Sequence, residues 1–263
     1  AAGVAGAGGT GGEASNEVTD MRDTPFQVLL TGFGPFLNFS FNPTMAIAEK
    51  LGGTCDDAEI QPEPGEHQPS DPRVRLRICW HTHVLPVNRS GAMWTTQHLR
   101  TFQERGQPLP YDAIFHTGLE ALEKGLKLEV AAANILANDT GARGVHRAVA
   151  GGPKLLVTTA NVGWMSLKNP VAVEGARPHC RLTEELELWS RDAGTYYCNE
   201  VYYRTLDHIR SLPVAARSGA LLPAMFVHVR SASATPVCED VDDIRQIAAH
   251  VLWATYIAPP EAP

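Results

Sequence analysis

Short apolar runs alternate with capped, amphipathic segments along most of this chain, and that alternation narrows the possible folds more than any other feature. Phe26-Gln27-Val28-Leu29-Leu30-Thr31 has the look of a buried strand, and Gly32 to Phe36 reads as a loop. Asn42-Pro43 then supplies an N-cap and a first-turn proline, Ile47 and Leu51 share a face, and Gly52-Gly53 ends the helix. The pattern recurs. Val74 to Val87 and Ala113-Ile114-Phe115 read as strands, as do Leu155 to Thr158 and Met225-Phe226-Val227. Met93 to Glu104, Leu182 to Trp189, Val201 to Leu212 and Val241 to Thr255 read as helices. Strands and helices in turn predict an α/β fold, with helices on both faces of a largely parallel sheet.

Three stretches fall outside the pattern. Residues 1–24 are rich in Gly and Ala and carry no periodicity, so they are expected to be a disordered tail ahead of one domain over 25–260. Cys55 to Pro72 is dense in proline and acid and reads as a surface excursion. Asn138 to Pro153 reads as a polar loop. No internal repeat and no interdomain linker stands out.

Charge and composition exclude several functions. The formal net charge of −7 offers nothing to nucleic acid or an anionic membrane. No apolar run approaches the ~20 residues that a membrane-spanning helix needs. The five cysteines form no CxxC pair and are odd in number, so reduced thiols and a cytoplasmic setting are expected. Gly32-Phe33-Gly34 follows a strand but lacks the third glycine of a dinucleotide turn, and Pro35 intervenes. His81 and His83 would share one face of a strand, yet no acid or cysteine clusters with them in sequence. No cofactor and no metal are expected. Asp242 and Asp243 sit near the start of the closing helix, where negative charge suits the dipole.

One stretch carries a chemical suggestion. Asp192-Ala193-Gly194-Thr195-Tyr196-Tyr197-Cys198-Asn199 sets Cys198 between a glycine-containing turn and a helix start. Backbone N–H groups and the helix dipole favour an anion there, so a thiolate forms at lower cost. The bland reading makes Cys198 the first core residue of a stripe with Tyr202, Leu206, Ile209 and Leu212. His228 ends an apolar strand, and ligand sites of open α/β sheets lie outside strand carboxyl ends. A structural histidine is its alternative. Glu129 is flanked by Leu128 and a Val-Ala run, where an unpaired buried carboxylate would cost several kcal/mol. Exposure on a helix surface is the other reading.

Together these segments form a resemblance. Phe26 to Pro43, FQVLLTGFGPFLNFSFNP, resembles the amino-terminal signature of the pyroglutamyl peptidase I family of cysteine peptidases. Glu129 with Asn134 is similar to that family's acidic motif, and Gly194 to Asn199 with Val201-Tyr202-Tyr203 to its nucleophile motif. Phe226-Val227-His228-Val229 resembles its histidine strand. The resemblance implies a single-domain α/β/α sandwich that removes amino-terminal pyroglutamate from peptides. It implies Cys198 as nucleophile, His228 as base and acid, Glu129 as the group orienting the imidazole, and Phe33 and Phe36 around the lactam ring. Pyroglutamyl peptides are the expected partners, with a homo-oligomer left open. The chain departs from the family's pattern in Gly118-Leu119-Glu120-Ala121-Leu122-Glu123, which lacks the usual glycines and arginine, and at Arg230, where a proline is common. Those departures support a second reading, a catalytically impaired homologue acting as a binding or regulatory protein. A hydrolase of another amide or ester is the third.

Overall fold

Most of the apolar runs become strands of one mixed sheet. The computed structural model describes residues 18–36, 40–60, 73–120, 126–137, 146–163, 165, 171–174, 189–190, 193–211, 221–230 and 237–257. In chain order the elements are β1 (Val18–Asp20), β2 (Phe26–Phe33), α1 (Pro43–Leu51), β3 (Cys55–Ile60), β4 (Arg73–Leu85), α2 (Arg89–Glu104), β5 (Ala113–Glu120) and β6 (Lys127–Glu129). Then follow β7 (Ala131–Ala133), β8 (Leu155–Val157), β9 (Val171–Val173), β10 (Trp189–Ser190), α3 (Tyr197–Ser211), β11 (Ala224–Arg230) and α4 (Val237–Tyr256).

The sheet runs β10-β6-β11-β5-β2-β4-β3-β9, with β1 also on β4, while β7 and β8 form a separate pair. Its centre is parallel: β11 on β5, β5 on β2 and β2 on β4. Antiparallel pairing enters where β6 meets β11 and where β3 meets β4 and β9. Successive strand residues face opposite sides, so the core splits in two. Val28, Leu30, Phe115, Met225 and Val227 pack with α1 and α4, whereas Leu29, Ile114, Ala224 and Phe226 pack with α2 and α3. Helices therefore cover both faces, as the alternation predicts.

The α1 cap forms as read. Asn42 Oδ1 accepts from Thr44 N at 3.1 Å, and Pro43 opens the helix. Gly32 lets β2 and α1 approach closely, because a Cβ there would stand 2.1 Å from the Thr44 carbonyl oxygen.

Several expectations need correction. Val18–Asp20, assigned to the tail, pair in parallel with Arg73–Arg75 of β4. The expected excursion from Cys55 begins as β3, paired antiparallel with β4 from Cys55↔Cys79 to Ile60↔Val74. Its acids gain partners across the pairing, Asp57 on Arg77 at 2.9 Å and Glu59 on Arg75 at 2.8 Å, while Ala58 and Ile60 turn into the core. Cys55 and Cys79 are joined by a disulfide, so the expectation of five reduced thiols fails, and cysteine usage no longer argues for a compartment. Trp189, expected to end a helix, lies in β10 beside β6, and the rest of that expected helix is outside the described residues. Asp242 lies beyond the first turn of α4 and bonds Arg245 at 3.0 Å, so an ion pair accounts for it better than the dipole does. No helix among the described residues is long and apolar enough to cross a membrane.

Candidate active site

Three elements bring their ends together at the carboxyl edge of β5 and β11. Gly194 adopts a φ of +77°, a left-handed conformation that glycine reaches without strain, and the chain turns there into α3. Tyr197 opens the helix and Cys198 is its second residue, so the thiol stands at the positive end of the dipole. Tyr202, Leu206 and Ile209 are fully buried, as the stripe predicts, but Cys198 is only half-buried and lines a pocket. The residue packs at the margin of that core and opens onto the pocket.

His228 lies near the end of β11 and is 5% exposed. Its Nδ1 stands 2.7 Å from Oε1 of Glu129. Glu129 is 1% exposed at the end of β6, a strand and not the helix surface of the alternative reading. The burial cost that its sequence context raised is thus met by a pairing. Its Oε2 has no hydrogen-bond partner among the described residues, so the bond through Oε1 is its main tie. The Cys198 side chain lies near enough to the imidazole to favour its protonated form. Since Nδ1 faces Glu129, Nε2 is the ring nitrogen that remains for sulfur.

Burial alone would lower the His228 pKa. Interactions with Cys198 and Glu129, with their charges, outweigh it and raise the ring to about 10. The imidazole is therefore protonated at neutral pH. A sulfur, a cationic ring and a carboxylate stand in sequence.

The helix start is held by residues to which sequence reasoning gave no role. Asn199 Oδ1 accepts from Ala133 N at 2.8 Å, and its Nδ2 donates to Ala133 O at 2.9 Å, tying the residue after Cys198 to β7. Glu200 is fully buried, accepts from Ala137 N at 2.9 Å, and is paired with Arg204 and Arg89. Tyr202 donates its hydroxyl proton to the Glu129 carbonyl at 3.0 Å, so α3 also fixes β6. Two polar residues breaking an apolar helix face were the signal that could have found Asn199 and Glu200.

Phe33 and Phe36 both line the pocket, with Val87, Leu119, Tyr196 and Tyr197 adding apolar wall. The Phe36 and Tyr196 rings are tilted, centroids 6.5 Å apart. The pocket holds about 170 Å³ and reaches Cys198 and His228. Leu119 thus belongs to it, while residues 121–123 of the divergent run, and the Arg230 side chain, lie outside the described residues. Elsewhere His83 stacks on Trp94 at 3.8 Å and His81 Nε2 lies 2.7 Å from Gln27 Oε1.

A helix-mouth thiol and an imidazole lining one pocket, with a buried carboxyl group behind the ring, form the arrangement that thiol hydrolases use. No protein-family model matches the chain. It is 31% identical over 210 residues to the pyrrolidone-carboxylate peptidase of Halalkalibacterium halodurans, covering 77% of this chain and 82% of that protein. The chain belongs to the pyrrolidone-carboxylate peptidase family. Solved structures share its fold at lower identity. The pyrrolidone carboxyl peptidase of Thermococcus litoralis superposes with a TM-score of 0.56 at 20% identity, over 86% of this chain and 93% of that one. The pyroglutamyl peptidase I of Bacillus amyloliquefaciens gives 0.57 at 17% identity, over 87% and 96%.

Proposed function

We propose that this peptidase removes amino-terminal pyroglutamate from peptides, with Cys198, His228 and Glu129 as its catalytic groups. The observation that carries the reading is the apolar pocket of Phe33, Phe36 and Tyr196 opening directly onto Cys198 and His228. Its volume of about 170 Å³ suits a small ring, since apolar cavities of about 150 Å³ accept benzene. A neutral lactam has no charge to grip, so aromatic faces with a few hydrogen bonds are a sufficient hold. A free amino-terminal glutamine lacks the ring that those faces hold and brings an ammonium group into a mostly apolar space.

The Cys198 thiolate attacks the pyroglutamyl carbonyl carbon, forming the C–S bond. Backbone N–H groups at the start of α3 stabilise the oxyanion. As the C–N bond breaks, the His228 Nε2 proton passes to the departing amine. His228 then takes a proton from water, whose oxygen attacks the thioester and releases pyroglutamate and thiolate. Glu129 holds Nδ1–H throughout, which keeps Nε2 toward the sulfur and stabilises the cationic ring.

The test offers the purified chain pyroglutamyl, prolyl and alanyl amides side by side. Release from the pyroglutamyl amide alone, lost in a folded Cys198→Ala variant, is the expected result. Equal cleavage of the alanyl amide would indicate another amide hydrolase, and no release from any of them would favour a binding role.

A further inference from the structure

We infer that Gly118 is a positioning residue for the Cys198 sulfur: the space its missing side chain leaves is the seat from which the thiol reaches His228. The inference rests on the proposed role of Cys198 and extends it to a strand that supplies no catalytic side chain. Gly118 lies in β5 directly opposite His228 in the parallel register with β11. Alternation along β5 puts His116 and Gly118 on one face; His116 is bonded to Thr205 of α3 at 3.0 Å, so that face looks toward the helix that carries Cys198.

A Cβ built on Gly118 would stand 2.8 Å from Cys198 Sγ and 2.6 Å from Phe226 Cζ, both closer than real Cβ contacts come. The two neighbours can yield to different degrees. Phe226 is fully buried, and its ring lies against His228 with centroids 4.7 Å apart, so it is held on several sides. The sulfur hangs on a single rotatable bond and borders an open pocket. A methyl at position 118 therefore displaces the sulfur first, by rotating it off Gly118 and away from the ring nitrogen. The φ of Gly118 is not in the left-handed range, so the backbone itself does not demand glycine there; the crowding does.

Gly118→Ala tests this, read by two measurements. One is the rate at which iodoacetamide alkylates Cys198 at neutral pH, followed by peptide mapping. The other is the division of the effect on pyroglutamyl amide hydrolysis between kcat and KM. Alkylation depends on the sulfur's surroundings and not on the substrate, so it stands even if the pyroglutamyl reading falls. The expected result is a loss of about 100-fold in kcat with KM nearly unchanged, as for a misplacement on the order of 1 Å, and slower alkylation. Phe226→Leu and the double variant Gly118→Ala with Phe226→Leu separate the two crowded contacts, and serve as the comparison if Gly118→Ala alone does not fold. Leucine removes the ring atoms nearest position 118 and leaves the sulfur contact. A double variant that stays well below Phe226→Leu in both readouts supports the inference. A double variant that returns to the Phe226→Leu level shows that only ring packing was at stake and overturns it, as does a folded Gly118→Ala chain with wild-type alkylation and kcat.

Discussion

Replacing Glu129 by Gln keeps the shape of the side chain that faces His228 and removes its charge. Both groups are nearly fully buried and 2.7 Å apart, so little water screens them. A close pair at an effective dielectric near 20 is worth about 4 kcal/mol, and breaking a buried pair costs about 3–5 kcal/mol. The rise of the His228 pKa from 6.5 to about 10 corresponds to roughly 5 kcal/mol of preference for the charged ring, shared between Cys198 and Glu129. Because the folded-state value lies above the unfolded one, this stabilisation is complete below about pH 6.5 and is lost as pH climbs through about 10. Urea denaturation of wild type and Glu129→Gln should therefore show a gap of about 3–4 kcal/mol at pH 6 that narrows toward pH 10. In the same variant kcat should fall by up to about 10⁴, the scale for a triad imidazole left in the wrong tautomer. A stability gap that stays constant from pH 6 to 10, or a kcat within a few-fold of wild type, would refute the pairing as described.

Three further expectations concern other parts of the molecule. Phe36→Ala should raise KM for a pyroglutamyl amide by about 10-fold or more with a smaller effect on kcat, on the scale of about 2 kcal/mol for a lost aromatic contact, as steady-state kinetics would show. Burial holds the His116 pKa down to about 3 and that of His250 to about 4, so stability should fall as pH drops from 6.5 toward those values, by up to about 1.4 kcal/mol per pH unit for each ring. His116→Gln, which keeps atoms able to bond Thr31 and Thr205, should flatten part of that slope in denaturation curves from pH 7 to 5. Cys55→Ser should lower stability by about 2–4 kcal/mol, as expected for opening a cross-link that spans 24 residues, and should leave turnover in place, since the bridge joins β3 to β4 away from the pocket.

The strands that carry the site were legible because their burial leaves a plain trace. Phe26 to Thr31 and Met225 to Val227 are mostly apolar runs within strands buried on both faces, and a central parallel strand writes itself that way. The helix after Gly194 was legible from its stripe, and Cys198 from its place ahead of that stripe. β3 was not, because Asp56, Asp57 and Glu59 balance arginines on β4 and Arg245 on α4, partners far away in sequence. Hydropathy alone cannot distinguish such a charge ladder from a solvated loop. The Cys55–Cys79 disulfide escaped for the same reason, since it depends on the register of β3 against β4. Glu129 was recognised as an odd carboxylate, but its strand is three residues long, too short for periodicity to separate from a helix. Asn199 and Glu200 follow the cysteine directly, yet what they hold, Ala133 and Ala137, lies more than sixty residues away.

Rapid acid quench of the enzyme during turnover, with intact-mass measurement and peptide mapping, looks directly for the covalent bond on which this mechanism depends. One pyroglutamyl group carried on Cys198, absent from Cys198→Ala and longer-lived in a His228→Ala variant acylated with an activated ester, is the predicted result. Steady release of pyroglutamate with no adduct on Cys198 at any quench time, or an adduct on a different residue, would contradict it.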